Sequence, residues 1–207
     1  MDERQWAASS GRPKLSDGFS ARPPRSLDAG RHVGQRDRRR GLDGRLDRFG
    51  IRPRRFDGLD GIVFSPFLHD GLGHLIANSV PFLLLGAVIA LGSARRFLLV
   101  TAIIAVVAGV GTWLTGPDNS VHIGASGLVF GYVTYLVSRG VFARNLAYLA
   151  GGVVVLMVYG GVLWGLLPRP GISWQGHLFG ALGGVLAARA VHPPAQGRPE
   201  QPTFGEL

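Results

Sequence analysis

Five apolar runs constrain this chain more than any other feature: about Leu75–Leu91, Phe97–Thr115, Val121–Ser138, Leu146–Leu167 and Ile172–Val191. Each approaches the roughly 20 residues that carry a helix across the hydrocarbon of a bilayer. One such run could be a buried helix of a soluble core. Five in succession, joined by short polar breaks, could not. Inside lipid the backbone must satisfy its own polar groups, and for spans of this kind that means helices. The expected fold is therefore an all-α polytopic membrane protein. The 32 glycines among 207 residues suit it, since small residues let membrane helices approach closely.

The chain carries a formal net charge of +9, but 15 of its 22 Lys and Arg residues precede Gly61. The basicity belongs to one segment and not to a folded basic face, so no nucleic-acid partner is expected; basic flanks of membrane proteins meet lipid headgroups or set orientation. Cysteine is absent, which excludes disulfides and thiolate metal sites. No metal or cofactor is expected.

Residues 1–43 lack apolar periodicity and read as a disordered basic segment, with no apolar stretch of the kind a secretory signal requires. Residues 44–192 form the expected membrane domain, and 193–207 a disordered tail. Between Arg45 and Leu68, short apolar clusters broken by charges and Pro66 read as an interfacial loop with short helices at the headgroups. Arg95 and Arg96, Arg139 and Arg144, and Arg189 and Arg198 fall on one side by parity. That side is the cytoplasm. The third and fifth runs then enter from outside, and Ser126 lies near the outer end of its run.

Several polar residues share that depth. Ser126 sits between glycines in Gly124-Ala125-Ser126-Gly127, and His177 lies about one turn into the fifth run. His74 and Asn78 open the first run, spaced i and i+4 on one helical face. Ionisable groups within spans are costly and mark functional sites. A serine hydroxyl becomes a nucleophile when an adjacent base takes its proton, and a neutral His177 suits that task. No acidic residue lies in the spans to orient the imidazole. Packing must do so, with Phe130 or Tyr132 against the ring. Donors to a developing oxyanion are sought in Asn78, His74 and the Ser126 N–H. Gly127 and Gly131 on one helix, and Gly176, Gly180 and Gly184 on another, would let the two pack closely.

At these residues the chain resembles the rhomboid family of intramembrane serine proteases. Gly124, Ser126 and Gly127 fit the family's Gly-x-Ser-Gly; His177, Gly180 and Gly184 fit its histidine followed by spaced glycines; His69, His74 and Asn78 fit its His…His-x-x-x-Asn. The resemblance covers about Gly44 to Val191. It implies Ser126 as nucleophile, His177 as base, and His74 and Asn78 as oxyanion donors. It also implies a hydrated cavity open to the outside of a bacterial cell membrane. The implied partners are the bilayer and transmembrane protein substrates, cleaved at small residues in a locally unstable helix.

The chain departs from the pattern twice. The Trp-Arg pair of the first outer loop is not evident, and the family's first helix, due just before Gly44, has the polar segment Arg31 to Arg40 in its place. Five spans with a cytoplasmic C-terminus would also put the most basic segment outside. Both points lead to the expectation that the N-terminal part is a wrong-frame or wrong-start translation. Two other functions are open to such a chain. A non-catalytic relative that binds membrane clients would usually lack the serine or the histidine. A small transporter would carry charges within its spans.

Overall fold

A computed structural model of the chain describes residues 46–191. The expectations for the basic N-terminal segment and for the tail lie outside these residues. Among those described there are six α-helices: α1 Gly61–Phe64, α2 Leu72–Ala90, α3 Ala94–Thr115, α4 Ser126–Phe142, α5 Leu146–Tyr159 and α6 Trp174–Ala190. The five long ones correspond to the five apolar runs, and the all-helical fold class holds.

The helices α2, α3 and the stretch Leu146–Leu166 are long and apolar enough to cross a membrane by length and composition. α4 and α6 are shorter, at 17 residues each. α4 lies at the centre, and α6 packs on it while exposing Leu182 and Leu186 on its other face. α4 is buried along most of its length, from Leu128 to Gly140, and packs on α2, α3, α5 and α6. Its Leu128, Val129, Tyr132, Val133 and Leu136 join Leu85 and Ile89 of α2, Val100 and Ile104 of α3, and Ala187 and Ala188 of α6 in one core. A helix walled by protein has little lipid to match, so its length is set by its neighbours.

Glycine makes the α4–α6 contact close. A Cβ on Gly180 would stand 2.8 Å from the Gly127 carbonyl carbon, and one on Gly127 would stand 3.1 Å from the Gly176 carbonyl oxygen. The Thr134 hydroxyl fastens the same seam by donating to the Ala181 carbonyl at 2.7 Å.

Two runs differ from their sequence reading. The third does not begin its helix at Val121. Gly124 has φ +112°, in the left-handed region, and its N–H bonds the Ser65 carbonyl at 2.8 Å. That breaks any helical continuity, so α4 starts at Ser126 itself. The fourth is not one α-helix: it tightens after Tyr159 into a 3₁₀ segment, Gly160–Leu166, in a stretch with glycines at 160, 161 and 165.

The segment before α2 matches the expected short helices. Ile62 of α1 packs where Gly109 of α3 leaves room, and the Trp113 indole donates to the Arg55 carbonyl at 2.9 Å. Arg54 bonds Asp118 in the α3–α4 loop. Ile51 and His122 exchange both backbone hydrogen bonds, at 3.0 and 2.9 Å, in an isolated antiparallel bridge. The loop that leads to Ser126 is thus held by its backbone on one side.

Candidate active site

Ser126 is the first residue of α4, and its Oγ lies 2.8 Å from His177 Nε2 in the first turn of α6. The other ring nitrogen, Nδ1, is 2.8 Å from the Gly165 carbonyl. A carbonyl can only accept, so Nδ1 carries the proton. Nε2 therefore presents its lone pair, and the Ser126 hydroxyl donates to it. The Gly165 carbonyl stands where an acidic residue would otherwise orient the imidazole.

Packing supplies the second constraint. The Phe130 ring stacks on His177 with centroids 4.3 Å apart and planes 10° from parallel. Phe130 is one turn along α4 from Ser126, so the hydroxyl and the stacking ring share a face. Of the two aromatic candidates, Tyr132 faces elsewhere: its hydroxyl pairs with Thr101 at 2.7 Å and its ring stacks on Phe82. Gly165 must be small, because a Cβ there would stand 2.9 Å from Phe130 and 3.0 Å from His177 Nδ1.

His74 approaches from α2. Its Nδ1 accepts the Asp70 backbone N–H at 3.2 Å, so Nε2 holds the proton and is a donor. That Nε2 faces Gly124, where a Cβ would lie 2.8 Å from it and 3.9 Å from Ser126 Oγ. A hydrogen-bond donor therefore borders the space beside the serine. The Ser126 N–H, at a helix start, has no intrahelical acceptor. Asn78 is buried, and its amide donates to the His74 carbonyl at 2.9 Å. One of its two N–H groups is thus engaged within α2, and one remains. His69 packs edge-on against His74, centroids 5.1 Å apart, and burial holds its imidazole below the usual range.

Two features, the Gly165 carbonyl and His122, had no counterpart in the sequence reading, and a third, a cavity, was expected there only through the family resemblance. The Gly165 carbonyl is a backbone group and leaves no residue signature. A cavity of about 40 Å³ borders Ser126, with Ser65, Thr112, His122 and Ser173 in its wall. A water needs about 10–15 Å³ of such space, so the cavity admits water next to the hydroxyl. Last, His122 Nδ1 lies 2.6 Å from the Ser173 hydroxyl and Nε2 lies 2.9 Å from the Ser120 hydroxyl. Burial pushes the His122 imidazole down to about 4, so it is neutral near pH 7. Its sequence signal was a matched spacing: His122 is four residues before Ser126, and Ser173 four before His177.

Residues 58–194 match the family model of the Rhomboid domain. The chain is 47% identical over 159 residues to the uncharacterized protein Rv1337 of Mycobacterium tuberculosis (strain ATCC 25618 / H37Rv), covering 72% of this chain and 66% of that one. It is 45% identical over 158 residues to the uncharacterized protein ML1171 of Mycobacterium leprae (strain TN), covering 72% and 62%. A Bacillus subtilis (strain 168) protein named "Putative rhomboid protease YdcA" is 32% identical over 127 residues, covering 60% and 63%. The chain thus spans just under two thirds of the length of these relatives. No solved structure matches it. With helices long and apolar enough to span a bilayer and a domain match over well more than half of its length, the chain is an integral membrane protein and belongs to the rhomboid family.

Proposed function

We propose that the chain is an intramembrane serine endopeptidase that cleaves peptide bonds in or near transmembrane segments of other membrane proteins. The observation that carries this reading is the 2.8 Å contact from Ser126 Oγ to a His177 whose tautomer is fixed by the Gly165 carbonyl. His177 Nε2 takes the Ser126 proton as Oγ attacks the scissile carbonyl. The oxyanion forms beside Gly124, within reach of His74 Nε2–H and the Ser126 N–H, with the remaining Asn78 N–H as a third donor. His177 then protonates the leaving amine, which departs and leaves an ester on Ser126. Water from the adjoining cavity gives up a proton to His177 and attacks the ester; the bond to Ser126 Oγ then breaks, His177 returns the proton to Oγ, and the new carboxyl product leaves.

The spacing of the arginines supports a membrane orientation with the site outward. Arg95, Arg96, Arg139, Arg144 and Arg189 lie at the helix ends opposite to Ser126 and His177, and the positive-inside rule assigns those ends to the cytoplasm of a bacterial cell.

The test is cleavage of a membrane-spanning substrate by the wild type, Ser126→Ala and His177→Ala, with labelling by a fluorophosphonate alongside. Cleavage and labelling by the wild type alone are expected. Equal cleavage by all three would refute the dyad, and a wild type inert in both assays would move the chain to a client-binding role.

A further inference from the structure

The hydrogen bond between His122 and Ser173 crosses from the loop before the serine helix to the residue before the histidine helix. It stands one turn outward from the dyad and has the dyad's composition with the sides exchanged. We propose that His122 and Ser173 form a positioning pair that sets the distance between Ser126 and His177; the proposal rests on the peptidase reading above.

Three observations carry it. First, the pair is directional. The Ser120 hydroxyl donates to the Pro117 carbonyl at 2.6 Å, so it accepts from His122 Nε2–H. His122 Nδ1 must then accept, and the Ser173 hydroxyl is its donor at 2.6 Å. Second, Ser173 occupies the position that caps α6, yet its side chain caps nothing. Serine there ordinarily bonds the free N–H groups of the first turn. Its hydroxyl is given to His122 instead, while its carbonyl accepts the His177 N–H at 3.1 Å. The pair is therefore one backbone hydrogen bond from the catalytic base. Third, the surroundings are shaped for the imidazole and its partner. A Cβ on Gly116 would stand 2.8 Å from His122 Nε2, and one on Gly176 would stand 2.9 Å from Ser173 Oγ.

The mechanical consequence follows from the connections. The His122 backbone is bridged to Ile51, which fixes the loop on its far side. The His122 side chain is the hydrogen-bonded tie from that loop to the α6 start. Without it, α4 and α6 remain joined by the dyad contact, the glycine seam and the Thr134–Ala181 hydrogen bond. A misplacement of 1 Å at reacting groups costs about 10²-fold in rate.

The experiment uses the full chain reconstituted in liposomes with a membrane-spanning substrate and a fluorophosphonate. Ser173→Ala and His122→Leu are each expected to lower kcat and the labelling rate by about tenfold or more, toward that limit, with KM little changed. The double variant should fall no further than the worse single one, because one bond is lost in all three. His122→Asn, whose side-chain oxygen can accept from Ser173 in place of Nδ1, should recover most of the lost rate. Ser173→Ala removes no volume from the core and removes no helix cap, so it reads the hydrogen bond if His122→Leu unfolds. Wild-type rates in Ser173→Ala would overturn the positioning role, as would losses that multiply in the double variant or follow the folded fraction alone. An inert wild type would overturn the peptidase reading and this role together.

Discussion

Gly180→Ala tests how the glycine seam controls the dyad. The new Cβ would stand 2.8 Å from the Gly127 carbonyl carbon and 3.0 Å from its Cα. Carbon atoms settle at about 3.5–4.0 Å and the Gly127 carbonyl oxygen lies nearer still, so α4 and α6 must part by roughly 1 Å or more. Both contacts are to backbone, and no rotamer change relieves them. Ser126 adjoins Gly127, and His177 is one turn from Gly180. A separation of about 1 Å takes the 2.8 Å Ser126–His177 contact beyond hydrogen-bonding range. The expected loss in kcat is about 10²-fold, or about 2.7 kcal/mol. Overpacking would also destabilise the fold by about 1–3 kcal/mol. Fluorophosphonate labelling, scaled to the folded fraction from a thermal melt, separates the two effects. Gly184→Ala forces the same helices apart at the Gly131 carbonyl and Thr134, one turn further from the dyad. It should lower the melting temperature as much and the labelling rate less. Gly151→Ala, with nothing within 4 Å, should label like the wild type. Labelling of Gly180→Ala at the wild-type rate would refute the reasoning, because the seam would then not hold the dyad.

Other outcomes follow from the same geometry. Gly124→Ala places a Cβ against His74 Nε2 at a residue with φ +112°. The strain is about 1–3 kcal/mol, and labelling should fall at least tenfold, as a rate assay on the folded fraction would report. Phe130→Leu removes the ring stacked on His177. The stack is worth about 0.5–1.5 kcal/mol, so kcat should drop roughly two- to twelvefold in the cleavage assay, with KM unchanged. Burial depresses the folded-state titration of His122 to about 4 and lowers that of His69. Below the ordinary imidazole value of about 6.5 the unfolded chain takes up protons that the folded chain refuses. The stability these neutral rings contribute is whole above that pH and is lost as pH falls toward 4. Melting temperatures across this window should decline, and the decline should be shallower in His122→Asn.

The sequence by itself determined the helical membrane architecture, because lipid leaves an apolar run of that length little alternative. It also singled out Ser126 and His177, whose side chains meet at 2.8 Å, and His74, whose Nε2 faces Gly124. It named Phe130 and Tyr132 as candidates to meet the histidine, and the spacing of four residues put Phe130 on the face of Ser126. The packing of α4 against α2, α3 and α6 turns Phe130 to His177 and Tyr132 to Thr101. The sequence could not find the Gly165 carbonyl, which every residue type possesses and which the 3₁₀ tightening after Tyr159 brings to Nδ1. The start of α4 at Ser126, and not at Val121, was likewise decided by a long-range bond, from the Gly124 N–H to the Ser65 carbonyl. His122 and Ser173 were visible as residue types, but their meeting depends on two loops that the closely packed glycines of α4 and α6 bring side by side. Local pattern fixes which segments are helices; rotation, separation and the aim of backbone dipoles come from contacts between segments far apart in the chain.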